Sequence, residues 1–310
     1  MLFFFLAFAP HPAFLAFSVL AAVENVLVII AIWKDPFKQL KGTPANYLIL
    51  NLAISDLLIG IAANPLFILL NWFPDETVFR AALSTAQLTG GVIHFTILSL
   101  AIERLIVITY PVWSADYLAS SGYFILGIIM SIWFFAGPGA VVPIVSLDVY
   151  CSFLIYISYD VFLIPIIFVV LACYTKIYFL VGRFWYRNIT SLEERQAEGQ
   201  RLTENARRIE KLKKKERRVA RTVFILVVTY LGCWIPILVL RNLDKSCNRH
   251  DLQRFASLFV ALHMLLNPLA YVLCTKKFRL SLCKIFQGLC KRGNRETTNL
   301  PRFSLHTLFP

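Results

Sequence analysis

Charge is what this sequence has least of. Only 16% of its 310 residues are Asp, Glu, Lys or Arg, where a soluble domain carries about 25%. Acids are the scarcer sign, 18 against 31 basic residues. So few ions cannot clothe a water-exposed domain, and no soluble domain is expected beside what the apolar residues build. Cysteine is sparse, at seven residues, and lacks the paired spacing of a metal site. Most of the seven fall within apolar runs or basic segments, so few disulfides are expected. The five His form no metal-binding motif, and no Ser or Cys sits in an activated-nucleophile signature. Neither a metal, nor a cofactor, nor an enzyme is therefore expected.

What the sequence has is apolar length. Hydrophobic residues make up 58% of it, and runs of about 20 of them recur seven times, each long enough to span a bilayer as a helix. In lipid every backbone polar group needs an internal partner, which makes helices the natural element for such runs. The expectation is an all-α, seven-transmembrane helix bundle in one domain, residues 1–290. Its helices are placed at about 7–33, 46–70, 79–110, 122–145, 149–182, 203–241 and 253–274. A short amphipathic helix 8 follows at about 276–287, residues 183–202 form the third inner loop, and residues 291–310 form a cytoplasmic tail. The first run could be mistaken for a signal peptide. It has no positive n-region and no small-residue cleavage pattern, so it is read as a helix with almost no outer tail.

The net charge of +13 would suit nucleic acid if it were clustered on a soluble surface. Instead, all but Arg80, Arg241, Lys245, Arg249 and Arg254 of the 31 basic residues fall in alternate loops, helix ends and the tail on one side. That is the positive-inside pattern. It places the N-terminus outside and the C-terminus in the cytoplasm, with no nucleic-acid partner. The Asn188-Ile-Thr sequon then lies on the cytoplasmic side and is expected to stay unglycosylated, since the modification needs a lumenal site.

Polar residues inside the runs are costly and are functional candidates by default. Glu24, Asn25, Asp56, His94 and His263 lie within runs, and Glu103-Arg104 closes the third. Glu24 reads either as a functional acid or as a protonated, hydrogen-bonded one. His94 reads as a core histidine or a ligand, and Glu103-Arg104 as a snorkelling edge pair or a switch. A transporter using Glu24, Asp56 and His263 is the competing function class. It would be supported by inverted repeats with paired broken helices, and none is found.

Glu103-Arg104-Leu105, with Pro111 seven residues after the Arg, resembles the Asp/Glu-Arg-Tyr motif of rhodopsin-like (class A) G-protein-coupled receptors. Leu105 replaces the usual Tyr. The resemblance extends along nearly the whole chain, one motif per apolar run. Asn25 matches the family's first-helix Asn, and Asn51-Leu-Ala-Ile-Ser-Asp56 its second-helix signature. Trp133 and Pro143 match the fourth helix, and Pro165 with Tyr174 the fifth. Cys233-Trp234-Ile-Pro236 matches the sixth, and Asn267-Pro268-Leu-Ala-Tyr271 the seventh, with Phe278 opening helix 8.

The resemblance implies a receptor for an unidentified extracellular small molecule or peptide, working with a heterotrimeric G protein at the plasma membrane. Arg104 would pair with Glu103 and Glu216. Ligand would repack the bundle near Trp234, the sixth helix would swing outward at Pro236, and Arg104 would turn toward Tyr271, with Tyr174 taking part. Asn25, Asp56, Trp234, Pro236, Asn267 and Pro268 make up the core switch in this picture. Gln87, Gly90, Trp234, Arg241 and Ser257 would line the ligand pocket, and Cys283 or Cys290 would be lipidated.

Departures from the family pattern are informative. Ala86 stands 18 residues before Arg104, where amine receptors carry Asp. Ala261 stands six residues before Asn267, where opsins carry the retinal-linking Lys. Ile93 and His263 occupy positions that are polar partners of a sodium ion in the family. Weak or absent sodium binding is therefore expected, with Asp56 held by hydrogen bonds to Asn25, Asn267 or His263. Phe79 occupies the position of the usual disulfide Cys, leaving Cys151 and Cys247 as expected free thiols and an open outer mouth. The short second outer loop is similar to that of the melanocortin-like branch.

Overall fold

The structure, a computed structural model, describes residues 11–41, 43–70, 72–110, 122–149, 161–197, 224–239 and 250–296. Among these every regular element is helical. Helix α1 is His11–Lys34 and α2 is the continuous path Pro44–Leu69. Helix α3 is Glu76–Thr109, α4 is Gly122–Val145, α5 is Ile164–Ala197, α6 is Phe224–Val239, α7 is His250–Cys274 and α8 is Lys276–Glu296. Five described helices, α1 to α5, are long and apolar enough to cross a membrane; the described apolar parts of α6 and α7 are shorter. The chain folds as a seven-helix membrane bundle with α8 attached.

Local chemistry fixes several ends. Thr43 is extended, and Pro44 occupies the first turn of α2, where its missing N–H is no loss. Asp75 caps α3 by accepting from the Val78 amide at 3.0 Å, and Glu76 sits in the first turn, where a negative charge complements the helix dipole. Helix α2 contains a π turn at Ile59–Ala63 just before Pro65. Proline has no N–H to donate and crowds the preceding turn, and the widened turn absorbs that. Gly60 within it lets α1 come close, since a Cβ there would meet Ala22 Cβ and the Ser18 carbonyl at 3.2 Å.

Helix α3 is the axis of the bundle and packs on α2, α4 and α5, while α1 packs on α2, α7 and α8. The α3–α4 approach is set by Gly91, where a Cβ would come within 3.0 Å of Ala136 Cβ. Leu52, Ile93, Ile97, Leu100, Leu226 and Tyr230 fill the centre. Outward faces are apolar too: Met130, Phe134, Phe135, Ile144 and Val145 of α4 are exposed, as a lipid-facing helix requires.

Two helices outrun their expected ends. Helix α5 continues through the segment read as the third inner loop, to Ala197, because Leu192-Glu-Glu-Arg-Gln-Ala offers strong helix formers and no breaker. Helix α8 runs to Glu296 rather than 287. Only Thr275 separates α7 from α8, and its carbonyl accepts from the Phe278 amide at 3.0 Å.

Candidate functional site

Three groups of polar side chains lie stacked inside this apolar bundle. The first is at the Arg104 end of α3. Arg104 Nε lies 2.6 Å from Glu103 Oε2, and Arg104 Nη2 donates to Glu103 Oε1 at 2.9 Å. Both residues are 7% exposed. A buried charge needs a partner, and adjacent residues supply one here. Tyr174 of α5 is buried too, its hydroxyl without a hydrogen-bond partner among the described residues. Glu216 lies outside the described residues, and the side chain of Tyr271 in α7 is not described.

The second group surrounds Asp56, which is fully buried. Asn267 Nδ2 donates to Asp56 Oδ2 at 2.9 Å, tying α7 to α2. His263, one turn earlier on α7, brings Nδ1 to 3.9 Å from Asp56 Oδ1, beyond hydrogen-bond distance. Of the three alternative partners expected for Asp56, one is found in place. Asn267 holds Asp56 and His263 only neighbours it. Asn25 instead donates to the Ala21 carbonyl at 2.9 Å and the Met264 carbonyl at 3.3 Å. Its amide is spent on the backbone of its own preceding turn and of α7.

The third group underlies Trp234. The His94 ring meets Trp234 edge to face at 4.2 Å between centroids, and the Tyr230 hydroxyl lies 3.3 Å from His94 Nδ1. His263 approaches both Tyr230 and Trp234, at 6.0 and 6.2 Å between centroids. The Trp234 ring also faces Gly90, where an added Cβ would lie 3.8 Å from it. Gln87, one turn away on α3, is half-buried, with its Nε2 lacking a hydrogen-bond partner among the described residues. His94 is therefore a hydrogen-bonded core residue packed on the tryptophan. Of the remaining candidates, Arg241, Cys151 and Cys247 lie outside the described residues, and the side chains of Ser257 and Cys290 are not described. Cys283 is exposed on α8, and Pro236 and Pro268 lie within α6 and α7.

Sequence reasoning missed several ties. Asn51 joins three helices: its Nδ2 donates to Thr96 Oγ1 at 2.8 Å, and Trp133 Nε1 donates to its Oδ1 at 2.9 Å. Ser55 donates to the Thr89 carbonyl at 3.0 Å, and Asn64 to Ser18 Oγ at 2.9 Å. Polar residues inside apolar runs were the available signal, but spacing alone does not reveal partners. Glu24 is half-buried and its Oε2 has no hydrogen-bond partner among the described residues.

Comparison with known proteins agrees with this geometry. The family model described as 7 transmembrane receptor (rhodopsin family) matches residues 24–271. The chain is 27% identical to sphingosine 1-phosphate receptor 3 of Takifugu rubripes, over 91% of this chain and 72% of the relative. It is also 27% identical to trace amine-associated receptor 9 of Mus musculus, over 95% of this chain and 90% of the relative. With most of its length matched in this way, and with Asp56, Arg104, Trp234 and Asn267 buried along one bundle, the chain belongs to the rhodopsin family of seven-transmembrane receptors.

Proposed function

We propose that the chain takes an extracellular ligand at the Glu76 end of the bundle and activates a heterotrimeric G protein at the Arg104 end. The observation that carries this reading is the buried Glu103–Arg104 pair. A buried pair adds little net stability over apolar packing, so its value lies in having two states. In the resting state Arg104 is held by Glu103 and by Glu216. In the active state α6 swings outward about Pro236, and Arg104 turns toward Tyr271 and the G protein, with Tyr174 beside it. Ligand shifts this equilibrium only by binding the two states unequally. Trp234, resting on His94 and open toward Gly90, is the element through which that difference is felt.

The pocket is lined by Gln87, Gly90, Trp234, Arg241 and Ser257. Some relatives are named for trace amines and others for sphingosine 1-phosphate. Ala86 has no carboxylate to bind an ammonium group, so a ligand held by a salt bridge there is disfavoured. Arg241 at the rim suits an anionic or strongly polar ligand. By charge placement the N-terminus is outside and the C-terminus cytoplasmic, and Cys283 or Cys290 carries a lipid at the plasma membrane, a reading that the exposure of Cys283 supports. The test is purified chain in lipid nanodiscs with a panel of heterotrimeric G proteins. Accelerated guanine-nucleotide exchange on at least one supports the reading; no acceleration on any, with transport or turnover instead, overturns it.

A further inference from the structure

Gly60, Gly90 and Gly91 all lie where α2 or α3 meets another helix, and only two of them are explained by packing. A Cβ on Gly60 would meet Ala22 Cβ and the Ser18 carbonyl at 3.2 Å, and one on Gly91 would meet Ala136 Cβ at 3.0 Å. Those two glycines let helices close. Gly90 is buried, yet among the described residues beyond its own stretch of helix a Cβ there would meet only the Trp234 ring, at 3.8 Å. Gly122 and Gly127 of α4 also have open space round them, but they are exposed. A glycine inside a helix is less stable than an alanine, and no described residue occupies the room that Gly90 leaves.

The groups round this recess share one chemistry. Its floor is fixed, because His94 packs edge to face on Trp234 at 4.2 Å between centroids and is hydrogen-bonded to the Tyr230 hydroxyl at 3.3 Å. Gln87, Gly90 and His94 lie at i, i+3 and i+7 and so share one face of α3, the face that Gly90 and His94 turn toward Trp234. Gln87 Nε2 is enclosed and has no hydrogen-bond partner among the described residues, and the same holds for Trp234 Nε1. Both are N–H donors, so what each lacks is an acceptor, and a buried donor left unpaired is costly. Charge is missing as well. No Asp, Glu, Lys or Arg occurs in residues 81–102 of α3, 224–239 of α6 or 255–274 of α7. An ion entering between these stretches would be buried without a counter-charge.

We propose that Gly90 opens a recess on the Trp234 ring for the uncharged end of the ligand, a group that presents a carbonyl-type oxygen to Gln87 Nε2. The recess belongs to the ligand pocket proposed above, and its role rests on that reading. Any charged part of the ligand stays at the rim, beside Arg241. Because His94 and Tyr230 hold the floor in place before binding, little ordering is left for the ligand to impose.

The test is fluorine NMR titration of the full chain in lipid nanodiscs with four probes of similar size: para-fluoroacetophenone, para-fluorobenzylamine, para-fluorobenzoate and para-fluoroethylbenzene. The ketone should bind saturably, and the ammonium and carboxylate probes more weakly by about tenfold or more. The hydrocarbon, which has no acceptor, should bind about fivefold more weakly than the ketone. Gln87→Leu should weaken the ketone by about fivefold and leave the hydrocarbon unchanged. Gly90→Ala should weaken the ketone by about tenfold, because its methyl fills the recess, while the melting temperature holds or rises. Gly127→Ala, on the exposed face of α4, should leave binding unchanged. No saturable binding of the ketone, equal binding of either charged probe, or unchanged ketone binding in Gln87→Leu or Gly90→Ala would overturn the proposal. So would a lower melting temperature in Gly90→Ala, or a loss of binding in Gly127→Ala equal to that in Gly90→Ala. No G protein enters this measurement. Failure here leaves nucleotide exchange to judge the receptor reading, and failed exchange beside selective ketone binding would leave the recess standing.

Discussion

His94 and Trp234 are in direct edge-to-face contact, 4.2 Å between ring centroids, and Tyr230 holds His94 from one side through its hydroxyl at 3.3 Å. The tryptophan therefore rests on a side chain whose orientation is fixed by a hydrogen bond. Removing either partner leaves the other buried and unsatisfied. A double-mutant cycle with His94→Ala and Tyr230→Phe should show a coupling of about 1 kcal/mol in thermal stability. Strictly additive losses would mean that the contact does not hold the histidine.

Asp56 is bonded to Asn267 and neighboured by His263. Ile93 brings no polar atom from α3. Replacing sodium by potassium should therefore change basal signalling little, and Asp56→Asn should not create or abolish a sodium effect. Asn267→Ala should instead lower stability by roughly 1–3 kcal/mol, because it leaves a buried carboxylate oxygen without its donor. Strong sodium dependence that disappears in Asp56→Asn would show a working cation site.

At the opposite end of α3, Arg80 takes over a fastening task. Its Nη1 donates to the Pro143 and Ile144 carbonyls at 3.1 and 3.0 Å, and its Nε to Glu76 at 2.9 Å. Those carbonyls belong to the last turn of α4, where intrahelical partners run out. Phe79 beside it leaves no cysteine at that position. Arg80→Ala should cost about 1 kcal/mol, a modest figure because the side chain is partly solvated, and Arg80→Lys should recover only part of it because one ammonium cannot reproduce the fork. Equal melting temperatures for wild type and Arg80→Ala would remove this role.

The loop acid Asp35 gives a pH signature. Burial opposes its ionisation, but the Lys41, Gln39 and Leu40 amides and the Lys41 charge outweigh that and hold its carboxyl below the usual carboxylate range. A depressed value means that its stabilisation is complete above the unfolded-state value of about 3.9 and is lost as pH falls through the folded-state value. Wild type should lose stability more steeply than Asp35→Asn under acid, and the two should converge there. Parallel pH profiles would contradict it.

The chain's organisation was legible because membrane spans and single-residue motifs are written in composition and order. Seven apolar runs, each carrying one motif residue, led to the bundle and to the buried positions of Asp56, Arg104, Trp234 and Asn267. Partners were less legible. Asn25 was one of three alternative partners expected for Asp56, yet Asn267 takes that role and the carbonyls of Ala21 and Met264 take the Asn25 amide. Asn51 was read only as part of a motif, and Arg80 and Asp35 looked like ordinary polar residues, because their bonds depend on a helix or a loop curl that no spacing rule supplies. The π turn before Pro65 and the continuation of α5 to Ala197 are likewise outcomes of packing and local propensity competing, which a motif does not encode.

The most direct test of the account is basal guanine-nucleotide exchange on a coupled G protein, measured at equal receptor amounts for wild type, Glu103→Gln, Glu216→Ala and Arg104→Ala. A bias of about 1 kcal/mol between near-equal states alters the active population several-fold. Exchange should therefore rise in Glu103→Gln, where the bonded partner of Arg104 is lost, and in Glu216→Ala, where its second proposed partner is lost, and fall toward background in Arg104→Ala. Wild-type exchange rates in all three variants would contradict a switch centred on Arg104.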